Sequence, residues 1–157
     1  MKITKDLYQS NLALLTDFYQ LTMAYAYWKS GKGEQEAVFN LFFRKNPFEG
    51  GFTIAAGLDY VVDYCKNLQF EQGELEYLRK MKQKDGSAMF EAAFLDYLRD
   101  LRFTCDIDAV EEGTVVFPNA PMVQVKGSLI QCQLLETPLL NILNFQTLIA
   151  TKAARIN

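Results

Sequence analysis

The segment LLTDFYQLTMAYAYW, residues 14–28, constrains the fold most, because it predicts a helix that is apolar on two sides. Thr16 suits the N-cap position, since its hydroxyl can accept from a free backbone N–H, and Asp17 then lies in the positive first turn. At helical spacing the apolar residues form two stripes: Phe18, Leu21, Tyr25 and Trp28, and then Tyr19, Met23, Ala26 and Tyr27. One domain core covers one stripe. The second stripe is therefore predicted to contact something outside this domain's own core.

Composition narrows the class of protein. The chain has 157 residues, of which 50% are hydrophobic and 22% charged, enough for one globular domain or slightly more. Its net charge of −3 argues against a nucleic-acid partner. The first residues, MKITKDLYQSN, contain no apolar signal region, so we expect a cytoplasmic protein.

Two residue types limit the chemistry. Histidine is absent, which excludes Ser-His-Asp and Cys-His catalysis by this chain. The three cysteines, Cys65, Cys105 and Cys132, are widely spaced without a CxxC pair, so they predict neither a disulfide framework nor a zinc site. We expect them to be reduced and buried.

The middle of the chain predicts a strand followed by helices. AVFNLFF, residues 37–43, is apolar almost throughout, which is typical of a central strand covered on both faces. A helix is predicted from about Leu58, with Leu58, Val61, Val62 and Cys65 as its buried stripe. Residues 73–83 and 88–101 predict two amphipathic packing helices separated by a KDGS turn.

The last third predicts strands and then a long helix. The alternating segments CDIDAV, GTVVF, MVQVK and LIQCQLL predict short strands, the last over residues 129–135. Thr137 and Pro138 suit the N-cap and first position of a helix over residues 137–157. Glu136 is the only charge from Ser128 to Thr151, but polar residues interrupt this run, which favours a buried helix over a membrane span.

These elements predict a mixed α/β class of fold: a polar lead-in over residues 1–12 and a single domain over residues 13–157. The last helix has no glycine after it and stays in helical register to the end of the chain. We expect it to lead into structure that this chain lacks.

Three groups of residues are candidates for a binding site, and each also has an ordinary structural explanation. Asp17 and Tyr19 could line a pocket for a flat polar ligand, although a helix start and a packing interface favour the same residues. Arg44-Lys45 beside Gly50-Gly51 could hold a phosphate, but no Walker or GxGxxG pattern is present. Lys152 and Arg155 share a helix side and could do so too, although helix C-termini favour cations.

Two acidic pairs could suggest a metal. However, Glu111-Glu112 precedes a glycine in an ordinary turn, and Asp106 and Asp108 fit the outward positions of a strand. We assign no metal site.

Taken together, four segments carry a resemblance to a known family. LLTDFYQLTMAYAYW, FNLFFRKNPFEGGFTIAAGL, EEGTVVFPNAPMVQVKG and LLETPLLNILNFQTLIATKAAR, in this order, resemble the amino-terminal part of nicotinate phosphoribosyltransferases. The resemblance covers nearly the whole chain and lies in long segments rather than one short motif. It implies an amino-terminal α/β domain followed, beyond this chain, by an irregular α/β barrel.

The resemblance also implies an activity. The family joins nicotinate to 5-phosphoribosyl-1-pyrophosphate, giving nicotinate mononucleotide and pyrophosphate, and couples this to ATP hydrolysis in NAD salvage. The barrel carries the phosphorylated histidine and most phosphoribosyl-binding groups, so no catalytic residue is expected in this chain, which alone should be inactive. The complete enzyme would use ATP and Mg²⁺, whereas this chain is expected to bind no cofactor.

By the same resemblance, the complete protein is a homodimer with an active site at each subunit interface. Tyr19 would stack on the pyridine ring of nicotinate in the partner subunit's site, and Asp17 would help to shape that pocket. Lys152 and Arg155 would lie near the phosphoribosyl group as candidate phosphate ligands. Neither nucleic acid nor a membrane is an expected partner.

Two alternatives stay open. A phosphoribosyltransferase acting on quinolinate or nicotinamide would share this architecture and differ in pocket charge. A non-catalytic dimerisation module could have kept the fold. The sequence that follows Asn157 would separate these hypotheses.

Overall fold

The computed structural model describes residues 12–156. The polar lead-in predicted for residues 1–12 therefore lies, except for Leu12, outside the described residues. The helices are α1 (Phe18–Lys29), α2 (Leu58–Asn67), α3 (Gln72–Lys80), α4 (Ala92–Asp100) and α5 (Leu129–Ala153), with a short 3-10 turn at Pro47–Glu49. The strands are β1 (Glu36–Leu41), β2 (Thr53–Ile54), β3 (Asp106–Ala109), β4 (Val115–Val116) and β5 (Val123–Ser128). This mixture of helices and small sheets agrees with the predicted α/β class.

The strands form two antiparallel sheets. In the larger sheet β5 lies between β1 and β3, with Phe39 opposite Val125 and Ile107 opposite Val125 on the other side. In the smaller sheet β2 pairs with β4. The prediction that residues 37–43 form a central strand is wrong, because β1 lies at the edge and Val38 is 48% exposed. Helix α5 packs on one face of β1 only, and the residues of the other face remain exposed.

Helix α5 begins earlier than predicted. Residues 129–135, predicted as a strand, form its first two turns, and Ser128 rather than Thr137 is its N-cap, with the Ser128 hydroxyl accepting from the Gln131 N–H at 3.4 Å. Pro138 therefore lies inside the helix. The prediction failed because every residue from 130 to 135 is buried, so these turns have no polar face to reveal the helical period. The helix ends at Ala153, short of the predicted residue 157.

Polar side chains in the buried start of α5 are satisfied by a loop. The Gln131 Oε1 accepts from the backbone N–H of Thr104 at 2.9 Å, and the Gln131 Nε2 donates to the Thr104 hydroxyl at 3.0 Å. This pair of bonds explains how a glutamine can occupy the helix–sheet interface without a large desolvation penalty.

Helix α1 packs against α5 and is capped one residue later than predicted. Its N-cap is Asp17, whereas the Thr16 hydroxyl donates to the Gln20 side-chain oxygen. The buried face is formed by Gln20, Leu21 and Ala24. At the far end of the helix, Tyr25 and Trp28 pack against Phe90 and Phe94 of the α4 region.

Helices α2, α3 and α4 confirm the predicted amphipathic elements, but the predicted buried stripe of α2 is wrong at Val62, which is 37% exposed, whereas Tyr64 is buried. Their apolar sides contribute Val61, Leu78, Phe94 and Leu98, which are fully buried. The cysteines are free and buried, as predicted. Within residues 12–156, no helix is both long and apolar enough to cross a lipid bilayer.

Two threonines join α5 to the smaller sheet. The Thr151 hydroxyl accepts from the N–H of Ile54 at 2.9 Å and donates to the Thr147 carbonyl at 2.7 Å. The Thr147 hydroxyl lies 3.2 Å from the Ala56 nitrogen and 3.1 Å from the Ala56 carbonyl oxygen. Both threonines are buried, and their hydroxyls supply hydrogen-bond partners for backbone groups of β2 and of Ala56, two positions after it.

We predict that Thr151→Val destabilises the chain by about 1–3 kcal/mol, because the isosteric change at this fully buried side chain leaves the Ile54 N–H without its acceptor. Thr22→Val is the matched control, since the Thr22 hydroxyl donates only to the Tyr19 carbonyl of its own helix, on an exposed side. We expect Thr22→Val to change stability by at most about 0.5 kcal/mol. Urea unfolding monitored by circular dichroism would measure both, and equal effects would contradict the prediction.

Candidate functional site

The site is built where the start of α1 meets the middle of α5. Tyr19 lies in the first turn of α1, and its side chain is 46% exposed. Its hydroxyl donates to the Glu136 Oε1 at 2.8 Å, across 117 positions of sequence. The hydrogen bond to Glu136 is the main cause that raises the pKa of the Tyr19 phenol, because a neighbouring carboxylate favours the protonated form.

Asp17 lies beside Tyr19 and is also held by α5. Its Oδ2 accepts from the Thr137 hydroxyl at 2.9 Å, and its backbone N–H donates to the Gln20 Oε1 at 3.1 Å. The structure therefore brings the two predicted site residues together and attaches each to one of two consecutive residues of α5.

Gln20 forms the buried base of this helix start. It is 0% exposed, and its side-chain oxygen accepts from both Thr16 and the Asp17 backbone. Its Nε2 finds no acceptor within the described part of the chain. The glutamine thus fixes the turn at residues 16–20 from below, while Tyr19 and Asp17 point to the surface.

The predicted second stripe of α1 is largely open. Tyr19, Met23 and Ala26 are exposed, whereas Tyr27 is half-buried and packs against the core. Phe18, assigned to the first stripe, is exposed as well. Contact of this surface with something outside the domain remains a prediction.

The two cations predicted as phosphate ligands lie at the far end of α5. Lys152 is 16 positions after Glu136 in the same helix, which corresponds to about 24 Å at about 1.5 Å per residue. The structure therefore does not bring Lys152 and Arg155 together with Tyr19 and Asp17 in one chain.

Arg155 is engaged with the loop before β2. Its guanidinium donates to the carbonyls of Pro47 and Phe52, at 2.8 Å each, and lies 5.2 Å from the centre of the Phe52 ring. The loop includes two non-glycine residues with positive φ, Phe48 at 57° and Glu49 at 52°. Arg155 thus stabilises an unusual backbone conformation. Because two of its guanidinium nitrogens already donate to carbonyls, fewer N–H groups remain to bind a phosphate.

Lys152 has more freedom. Its Nζ lies 4.9 Å from the centre of the exposed Phe48 ring, and the side chain is exposed. Arg44 and Lys45, three and two positions before Pro47, are exposed too. These three cations keep N–H groups that face water and could meet an anion.

The acidic pairs have structural positions: one residue caps a helix, and two lie on the exposed side of a strand. The Glu112 Oε1 accepts from the backbone N–H groups of Gly57 at 2.8 Å and Leu58 at 2.5 Å, so this carboxylate caps the N-terminus of α2. Asp106 and Asp108 lie on the exposed side of β3. Among residues 12–156, no three histidine, cysteine or acidic side chains come together as metal ligands.

Sequence reasoning missed Glu136 and Thr137 as site residues. A usable signal was present, since Glu136 is the only charge between Ser128 and Thr151. A lone carboxylate in an apolar helix requires a donor from another element, because burying it unpaired is costly. That donor is the Tyr19 hydroxyl, with the Gln133 Nε2 at 3.2 Å from the second oxygen.

Comparison with known proteins now identifies the family. Residues 14–144 match the family model described as the nicotinate phosphoribosyltransferase (NAPRTase) N-terminal domain, and the chain belongs to this family. It is 47% identical to a nicotinate phosphoribosyltransferase of Caenorhabditis elegans over 90% of this chain, and 45% identical to that of Bacillus subtilis over 93% of it.

A solved structure agrees. The crystal structure of human nicotinic acid phosphoribosyltransferase matches 90% of this chain with a TM-score of 0.80 and 40% identity. The match covers 28% of that human chain, 25% of the worm protein and 29% of the bacterial one. The chain thus spans about a quarter of the length of the curated relatives it matches.

We predict that Gly50→Ala and Arg155→Ala are coupled. A Cβ at Gly50 would lie 1.7 Å from an Arg155 guanidinium nitrogen, so Gly50→Ala must displace the guanidinium and should cost about 1–3 kcal/mol, as should Arg155→Ala. In the Arg155→Ala background, Gly50→Ala should cost little more.

The control for this cycle is Gly51→Ala, because a Cβ at Gly51 meets no atom within 4 Å. Thermal unfolding of the four cycle members and this control would measure the coupling. Additive losses from Gly50→Ala and Arg155→Ala would show that the guanidinium does not fill the space beside Gly50.

Proposed function

We propose that this chain is the amino-terminal part of a nicotinate phosphoribosyltransferase and supplies one wall of the nicotinate site. The observation that carries the proposal is the half-exposed Tyr19 ring, whose hydroxyl is fixed at 2.8 Å to Glu136 beside the N-cap Asp17. An aromatic face held in one direction is suited to a flat heteroaromatic ring, for which an offset stack contributes about 0.5–1.5 kcal/mol beyond area burial. Membership in the family supports nicotinate as that ring.

The reaction that we propose belongs to the complete enzyme. Nicotinate and 5-phosphoribosyl-1-pyrophosphate give nicotinate mononucleotide and pyrophosphate, while ATP is hydrolysed to ADP and phosphate. This is ligase-type, ATP-coupled chemistry in the cytoplasmic salvage of pyridine nucleotides for NAD biosynthesis. The relatives, which are nicotinate phosphoribosyltransferases, support the nicotinate and phosphoribosyl parts of this reaction.

The role of this chain in that reaction is binding. Tyr19 stacks on the pyridine ring, and Asp17, whose carboxylate is held by Thr137, limits the pocket on the side of the helix start. The chain contains no histidine to accept a phosphoryl group, so the group-transfer steps fall to residues outside it. The described residues assemble no carboxylate cluster for Mg²⁺, and no step through this ion is assigned to them.

The positions of the candidate residues support a homodimer with shared active sites. Tyr19 and Met23 of the second stripe are both exposed, and exposed apolar side chains grouped on one helix face are typical of interfaces. Lys152 lies about 24 Å away along α5, too far for one small substrate to touch both in one chain. In a two-fold dimer, Tyr19 from one subunit and Lys152 from the other can serve the same site.

We predict that the 157-residue chain alone makes no nicotinate mononucleotide, because it lacks histidine and spans about a quarter of its relatives. The assay combines purified chain, nicotinate, phosphoribosyl pyrophosphate, ATP and Mg²⁺, with mononucleotide measured by chromatography. Mononucleotide formation above a no-protein control, in proportion to the amount of purified chain, would contradict the proposal that the group-transfer steps need residues outside this chain.

In the complete enzyme, Tyr19→Ala should lower kcat/KM for nicotinate by about tenfold or more, because about 1.4 kcal/mol of stacking and positioning corresponds to a factor of ten. Tyr19→Phe keeps the ring and should lose less. Steady-state kinetics on dimers verified by sedimentation would measure both variants.

A packing role for Tyr19 gives the opposite pattern: a weaker dimer or lower Tm with catalysis per dimer unchanged. Asp17→Asn tests the charge at the helix start: the amide keeps the shape of the side chain and an oxygen that can accept from Thr137, so it should cost at most about 1 kcal/mol of stability and change the nicotinate KM less than Tyr19→Ala does. Unchanged nicotinate kinetics in Tyr19→Ala would end the stacking proposal.

A further inference from the structure

We infer that Glu136 and Thr137 are positioning residues for the nicotinate site, which set the direction of the Tyr19 ring and the place of Asp17 from helix α5. This inference rests on the proposed function. It adds two residues that do not need to touch the substrate and a physical reason for their effect on it.

The Tyr19 ring depends on its hydroxyl for its direction. The side chain is 46% exposed and belongs to none of the aromatic ring pairs found within residues 12–156. A half-exposed tyrosine without ring neighbours would otherwise move between staggered side-chain conformers. The bond to the Glu136 Oε1 at 2.8 Å closes a loop between α1 and α5 and selects one conformer.

Glu136 is itself held in place. Its Oε1 accepts from Tyr19 and its Oε2 from the Gln133 Nε2 at 3.2 Å, one turn earlier in α5, and Gln133 is buried. An ionised carboxylate is an acceptor only, so it binds a phenol O–H in a defined direction and gains from both donors. Tyr19 is therefore held by two successive hydrogen bonds, from its hydroxyl to Glu136 and from Gln133 to Glu136, and both of these partners belong to helix α5.

Thr137 supports the neighbouring residue. Its hydroxyl donates to the Asp17 Oδ2 at 2.9 Å, and Asp17 is two positions before Tyr19. Glu136 and Thr137, which are consecutive in α5, thus bind Tyr19 and Asp17, the two ends of the segment that carries the candidate site. Rotation or sliding of the α1 start would break both bonds at once, which keeps the segment in one geometry and reduces the entropy lost when a ligand binds.

The chain offers a matched control on the same helix. The Tyr25 hydroxyl donates to the Glu91 Oε1 at 2.9 Å, a phenol–carboxylate bond like that between Tyr19 and Glu136, and this oxygen also accepts from the Lys29 Nζ at 2.6 Å. Tyr25, however, packs against Phe90, Phe94 and Trp28 and lies near the opposite end of α1. Loss of the Tyr25–Glu91 bond should therefore leave the nicotinate site unchanged.

The experiment is a double-mutant cycle in the complete enzyme with Tyr19→Phe and Glu136→Leu. Each single change should lower kcat/KM for nicotinate by about three- to fivefold, the value of one typical hydrogen bond, and the double mutant should be no worse than either single one. The KM for phosphoribosyl pyrophosphate should not move. Glu136→Gln, whose amide oxygen still accepts, should recover most of the loss, and the Tyr25→Phe, Glu91→Leu pair should leave all constants unchanged.

A second measurement tests the hydrogen bond without relying on activity. In the 157-residue chain with ¹³C-labelled tyrosine, the phenol of Tyr19 should titrate above its ordinary pKa, and Glu136→Leu should lower that pKa because the carboxylate is removed. Glu91→Leu should not change the Tyr19 titration.

The possible outcomes distinguish failure of the positioning role from failure of the proposed function. An unchanged Tyr19 titration in Glu136→Leu, additive kinetic losses, or equal losses for both substrates would overturn the positioning role. A wild-type complete enzyme that fails to turn over nicotinate would overturn the proposed function, and with it the positioning role, even if the titration shows the Tyr19–Glu136 bond. Loss confined to nicotinate, with recovery in Glu136→Gln, would support both.

Discussion

The structure depends on the burial of helix α5, a run of 25 residues with only Glu136 and Lys152 as charges. Because its first turns are covered on all sides, the polar groups within it have to find partners in other elements. They do so at four levels along the chain. Gln131 bonds to Thr104, Glu136 and Thr137 bond to the start of α1, Thr151 bonds to β2 and Thr147 to Ala56 just after it, and Arg155, just beyond the helix, bonds to the loop before β2. Apolar packing holds the helix in the core, and these bonds fix its register against its neighbours.

Helix α5 also determines the geometry of the candidate site, because two of its residues bind Asp17 and Tyr19. Asp17 and Tyr19 are close in sequence and needed no long-range folding to become neighbours. Their support from Glu136 and Thr137, however, forms only when α1 docks on α5. The same docking buries Gln20, Leu21 and Ala24 while leaving Tyr19 and Met23 open. Fold stability and site geometry therefore rest on one interface.

The sequence predicted elements whose two sides differ in polarity. Helices α2, α3 and α4 each have a charged outer face, and their positions agree with the structure to within a few residues. Prediction failed where that contrast is missing. LIQCQLL, buried on all sides, was assigned to a strand instead of the start of α5, and the apolar strand β1 was assigned to a sheet centre instead of an edge. Local composition does not report which neighbours cover an apolar segment, because tertiary packing decides it.

The same reasoning explains which site residues could be found from sequence. Asp17 and Tyr19 were assigned a role through the family resemblance, whereas the residues that hold them lie 117 and 120 positions away, a distance no local pattern spans. Arg155, a phosphate candidate by sequence, is bound to the carbonyls of Pro47 and Phe52. Lys152 is exposed, but it lies at the C-terminal end of α5, 16 positions after Glu136, the contact of Tyr19. Because this segment of α5 is a rigid spacer of about 24 Å, one small ligand cannot contact Tyr19 and Lys152 of the same chain.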